Sequence, residues 1–145
     1  MRRILTIATA AMIAMAGSAL VAQKVTTPAE LDAAMKKIAA AQGATGKAIN
    51  SGNFADAKAQ VAIVKQTLTD AENFWVANKK DEAIAFSKDS IAKITALEQA
   101  VSAAAPDQQA ALAALKAAGG TCGACHKTYR VQDENMQYIL KPGTI

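Results

Sequence analysis

The chain has 145 residues, 52% of them hydrophobic but only 4% aromatic, and alanine dominates the apolar share. With 19% charged residues, 8 Gly, 3 Pro and 2 Cys, it is too apolar for a disordered tail and too poor in breakers and cysteines for a collagen-like or disulfide-dense chain. The shortage of branched and aromatic residues excludes an all-β sandwich. Its formal charge of +4 comes from lysines mixed with acids, without the basic stripe and interleaved aromatics of a nucleic-acid binder.

The N-terminus has the layout of a secretory leader. Met1-Arg2-Arg3 is positive, Ile4 to Ala16 forms the apolar run, and small residues follow at Gly17, Ser18, Ala19 and Ala22. A membrane anchor needs about 20 strongly apolar residues. This run is rich in Ala, Thr, Gly and Ser, and no stop-transfer charges follow it. The expectation is a signal peptide over residues 1–22, cut after Ala16, Ala19 or Ala22, and a periplasmic protein without a membrane anchor. Without Arg2 and Arg3, 16 − 2 = 14 basic residues face 12 acidic ones, leaving +2.

Residues 23–145 read as one domain of four helical segments. Thr27-Pro28-Ala29-Glu30 combines an N-cap threonine, a proline at the first helical position and a capping-box glutamate. Leu31, Met35, Ile38, Gln42, Thr45 and Ile49 then form an inward stripe that Gly52 ends. Asn53 caps the second helix, whose stripe is Phe54, Ala57, Val61, Val64, Leu68, Ala71 and Trp75. Asp81 is the expected third N-cap, ahead of Ile84, Ser87, Ile91, Ile94, Leu97 and Val101. Pro106 is expected to open the fourth helix, with the stripe Leu112, Leu115, Gly119, Cys122, His126 and Tyr129. Each stripe repeats near 3.5 residues and the connections are short, which predicts an all-α, up-down-up-down antiparallel four-helix bundle roughly 35 Å long. Residues 132–145 read as a tail, with Tyr138, Ile139 and Leu140 available to cover a seam or an interface. Phe54, Phe74, Trp75 and Phe86 read as packing residues. Lys36, Lys37, Lys79 and Lys80 read as solvated charges able to steer a partner.

Both cysteines and the only histidine lie in Cys122-Gly123-Ala124-Cys125-His126. C-x-x-C-H is the attachment signature of c-type haem. Two thiols three apart can add across the vinyl groups on one porphyrin edge, and the adjacent imidazole then reaches the iron. The rivals are weaker. A disulfide closing so short a loop stabilises little, a thioredoxin-like pair wants a βαβ context, and zinc wants more ligands than this spot offers. Gly119-Gly120 either lets a flat porphyrin lie close or marks a break between two helices.

A C-terminal Cys122-x-x-Cys125-His126-x-x-Tyr129-Arg130 on the last of four antiparallel helices resembles the class II cytochromes c, cytochrome c′ and the low-spin cytochrome c556, over about residues 28–131. The resemblance implies one covalent haem c linked through Cys122 and Cys125, with His126 as proximal iron ligand and Arg130 near the haem propionates. It implies an electron carrier with a periplasmic redox partner, not an enzyme, and by analogy a homodimer. Leu31 stands where the family often carries an arginine, so Lys36 or Lys37 is the substitute there.

The sixth iron position decides between two functions. A methionine, as in cytochrome c556, makes a low-spin electron-transfer centre. An open position, as in cytochrome c′, takes nitric oxide or carbon monoxide. Beyond the leader the chain holds two methionines, Met35 and Met136. Met35 lies about 10 Å into the first helix, at the end of the bundle where His126 falls, and is the expected distal ligand. Met136 would reach the site only if the tail folded back. Peroxidase chemistry is disfavoured because no distal histidine exists.

Overall fold

The computed structural model describes residues 24–145, so the leader expected over 1–22 lies outside the described residues. The helices are α1 (Pro28–Asn50), α2 (Phe54–Ala77), α3 (Asp81–Ser102) and α4 (Gln108–Tyr129), followed by strands β1 (Arg130–Gln132) and β2 (Tyr138–Leu140). Among the described residues no helix is long and apolar enough to cross a membrane.

The caps explain where the helices begin. Thr27 Oγ1 accepts from the Glu30 amide, and Glu30 Oε2 accepts in return from the Thr27 amide, closing the expected capping box. Asn53 Oδ1 accepts from the Asp56 amide at the start of α2. Two starts differ from the sequence expectation. At α3 the first intrahelical acceptor is the Lys80 carbonyl, bonded by the Ile84 amide. Lys80 therefore occupies the cap and Asp81 falls inside the first turn, where its charge suits the positive end of the helix dipole. At α4 the cap is Asp107, whose carboxylate accepts from the Ala110 amide at 2.7 Å, and Pro106 lies outside the helix.

Cross-links between helices establish their directions. Gln108 Nε2 donates to the carbonyls of Ile49 and Asn50, and Gln42 Nε2 lies 3.9 Å from Cys122 Sγ. Positions rising along α1 thus fall along α4. Thr121 donates to Asp89 and Tyr129 donates to Glu82, so α3 runs antiparallel to α4; the short link from Ala77 to Asp81 and the Lys65–Glu98 pair further along lay α3 antiparallel to α2. The chain forms a four-helix, mainly helical bundle.

Its core divides into two clusters. The larger joins Ile38, Ile49, Val61, Val64, Leu68, Ile94, Leu97 and Val101 with small residues such as Ala57, Ala111 and Ala118. The smaller, at the end where α1 begins, gathers Val25, Leu31, Ala34, Ala71, Phe74, Trp75 and Ala83. Buried hydroxyls at Thr45, Thr67 and Ser87 donate to carbonyls four residues back, which removes the cost of leaving them unpaired.

The segment expected to be a tail contains structure. β1 and β2 form an antiparallel hairpin with Arg130 opposite Leu140, Val131 opposite Ile139 and Gln132 opposite Tyr138. Asp133 organises its turn: its carboxylate accepts from the amides of Asn135 and Gln137, and its carbonyl from the Met136 amide. Lys141 returns the chain to α4 by donating its amide to the Tyr129 carbonyl and its Nζ to the Lys127 carbonyl.

The Glu30 carboxylate, which also accepts from the Thr26 amide and hydroxyl, is held at about 2 against an ordinary 4.5 by these bonds, the Thr26 amide first. Its ionised form therefore favours the folded chain fully above pH 4.5, and that contribution is lost as pH falls through about 2. Glu30→Gln is expected to lower stability at pH 7, with the gap from the parent closing between those two values, as read by urea unfolding at a series of pH values.

Candidate functional site

α1 and α4 form the loosest of the helix pairs that neighbour each other. Near Gln42 and Cys122 they still touch. Towards the start of α1 and the end of α4 they part, leaving a cleft of about 750 Å³, within the usual range for small-molecule sites. Met35 and Ala39 line it from α1, His126 and Tyr129 from α4, Trp75 from α2, and Met136 to Leu140 from the hairpin. The lining is mainly apolar.

The two expected ligand residues thus face one cavity from different helices. Met35 is half-buried and packs against both core clusters, which restrains its stem. His126 is half-buried in the last turn of α4. Burial first, and the nearby Arg130 charge second, push its imidazole below the ordinary value. It is neutral at pH 7 and has a lone pair to give to a metal.

Cys122 and Cys125 are both free thiols, half-buried and not bridged. They sit one turn and one residue before His126, beside the cleft but not on its wall, with Cys122 turned towards Gln42 of α1. Burial pushes the Cys125 thiol up to about 11, with smaller contributions from Cys122 and Glu82. A thiol so raised is a poor redox nucleophile, which counts against a thioredoxin-like pair. The described residues contain no cluster of three or more His, Cys, Asp or Glu able to hold a metal ion.

α4 runs unbroken through Gly119-Gly120, so that pair does not mark a break. Gly119 is exposed instead of inward, because the buried face of α4 is centred on Ala111 and Ala118. Among the described residues a Cβ at Gly119 or Gly123 would meet nothing within 4 Å beyond its own helix. The chemistry of the wall suits a haem: an imidazole and a thioether from opposing helices, two free thiols alongside, and an apolar cavity between.

Met136 requires a correction. The hairpin folds the chain back, so Met136 lines the same cleft as Met35. It sits at the turn with φ 60° and is 67% exposed. Of the first-helix lysines, Lys36 lines the cleft but pairs with Asp32 at 2.7 Å, and Lys37 is not on the wall. Arg130 is on the wall, capping α4, with its guanidinium carbon 3.9 Å from the centre of the Tyr138 ring. Tyr138, Ile139 and Leu140, able to cover a seam by their sequence, line the wall, and so does Gln137, which sequence pattern did not reveal. Comparison with protein-family models, curated proteins and solved structures finds no match for this chain.

The cleft floor depends on Phe74, fully buried and edge-on to Trp75 at 5.0 Å between ring centres. Trp75 in turn lies 5.2 Å from Tyr129. Phe74→Ala is expected to cost about 3–5 kcal/mol and to red-shift the emission of Trp75, the chain's single tryptophan, as water reaches the floor; unfolding and fluorescence measurements check both.

Proposed function

We propose that this chain is a periplasmic haem c protein that carries electrons, with thioether links at Cys122 and Cys125 and with His126 and Met35 as axial ligands. The observation that carries the reading is that Met35 and His126 line one apolar cleft from opposing helices, beside two unbridged thiols. Bound there, the haem would supply an iron that cycles between two oxidation states, its potential raised by thioether ligation and exclusion of water.

The protein's part is positional. α4 holds the thiols and the imidazole in one rigid register, since residues 122, 125 and 126 fall within little more than one turn. α1 presents the Met35 sulfur from a stem fixed by both core clusters. Trp75, Leu31 and the hairpin supply apolar wall. No general acid or base is needed, because the only moving species is an electron delivered by a partner protein.

Absorption and paramagnetic resonance spectra of the haem-loaded chain test the reading. A low-spin spectrum with a sulfur-to-iron charge-transfer band is expected, lost in Met35→Ala and kept in Met136→Ala. A high-spin parent that binds carbon monoxide promptly on reduction would remove Met35 as ligand and favour a cytochrome c′-like gas-binding protein. Absence of covalently held haem would overturn both readings.

A further inference from the structure

Two cations face the cleft, and they differ. Lys36 is already paired with Asp32, both on the wall. Arg130 makes no ion pair among the described residues; its partner is an aromatic face. The hairpin register explains the contact. Arg130 opposes Leu140, and Tyr138 lies two residues from Leu140 on β2, so the two side chains are diagonal neighbours on one face of the ladder. The guanidinium carbon stands 3.9 Å from the ring centre, well inside the roughly 6 Å reach of a cation–π contact. A planar guanidinium laid on a ring keeps its N–H edge free for in-plane acceptors. The backbone is fixed on both sides: the Arg130 amide donates to the His126 carbonyl, and Asp133 pins the turn.

We infer that Tyr138 is a positioning residue for ligand binding: its ring holds the Arg130 guanidinium at the cleft wall so that a carboxylate on the edge of the bound group meets a fixed cation. This rests on the haem reading above, since a haem carries two carboxylate arms on the edge opposite its vinyl groups. The order of parts along the chain suits the task. His126 enters from the last turn of α4, Arg130 follows one turn later at the mouth, and β2 returns the ring that immobilises it. Without the ring, the arginine keeps its charge but loses its fixed direction.

The test uses the full chain produced without haem and two iron-free probes, mesoporphyrin IX and its dimethyl ester, titrated by fluorescence. The parent is expected to bind the free acid about tenfold more tightly than the ester, the scale of one charge-assisted hydrogen bond. Tyr138→Phe keeps that ratio, whereas Tyr138→Leu and Arg130→Leu bring it near one. In the same haem-free samples, nuclear magnetic resonance is expected to show ring-current-shifted Arg130 side-chain protons in the parent and Tyr138→Phe, and unshifted ones in Tyr138→Leu. A full acid preference in Tyr138→Leu, or equal binding of the two probes by the parent, overturns the inference while the haem reading stands. Binding of neither probe by the parent overturns the haem reading as well.

Discussion

The candidate site exists because α1 and α4 are neighbours that do not close along their whole length. Three short connections oblige each helix to return beside the last, so the start of the first helix and the end of the fourth share one end of the bundle. At the other end small residues let the two meet: a Cβ at Gly46 would lie 3.5 Å from Leu115, and Gln108 ties α4 to the last carbonyls of α1. Past Gln42 and Cys122 the buried face of α1 continues through Ile38 to Ala34 and Leu31, the last two clustered with Ala71, Phe74 and Trp75 of α2 and Ala83 of α3. Met35 and Ala39 are left facing open space. Apolar surface left uncovered is stabilisation withheld from the fold, and a flat apolar ligand would recover it through binding.

The thiol pair fits this arrangement for electrostatic reasons. In thiol oxidoreductases the reactive cysteine gains acidity from a helix N-terminus or nearby cations. Here both cysteines lie in the last two turns of α4, at the negative end of the helix dipole. Glu82 of the neighbouring helix adds a further negative charge, and burial adds most. The environment keeps Cys125 protonated and poorly suited to repeated exchange. For His126 the dipole favours the cation, but burial and Arg130 outweigh it. The imidazole stays neutral.

Much of the fold was legible because helical burial follows a period that sequence displays. Every stripe residue of α2 from Ala57 to Trp75 is buried, and the caps at Thr27 and Asn53 form as their side chains suggest. On α4 alanine and glycine carry little contrast between faces, and the buried position is Ala118, one residue before Gly119 of the expected stripe. The hairpin was hidden for another reason. Strands of three residues are too short for alternation to show, and Asp133-Glu134-Asn135 looks like a polar fade-out until its carboxylate is seen bridging two amides. The cleft itself could not be read at all, because its width depends on which side chains fail to meet.

The folding back of the hairpin also changes the basis on which the two methionines are told apart. Distance along the chain no longer separates them, since both line the cavity; rigidity does. Met35 stands on a helix, with its stem held between two core clusters, and under the proposed function a sulfur so restrained would lose little freedom on meeting a metal. Met136 stands at a turn, 67% exposed, in a left-handed conformation that costs roughly 1–2 kcal/mol for a residue with a side chain. The Asp133 network sustains that conformation, and its effect is to set a flexible apolar side chain at the mouth. A metal ligand must be held against thermal motion, whereas a residue that excludes water need only occupy the opening. The first demand matches Met35, and the second matches Met136.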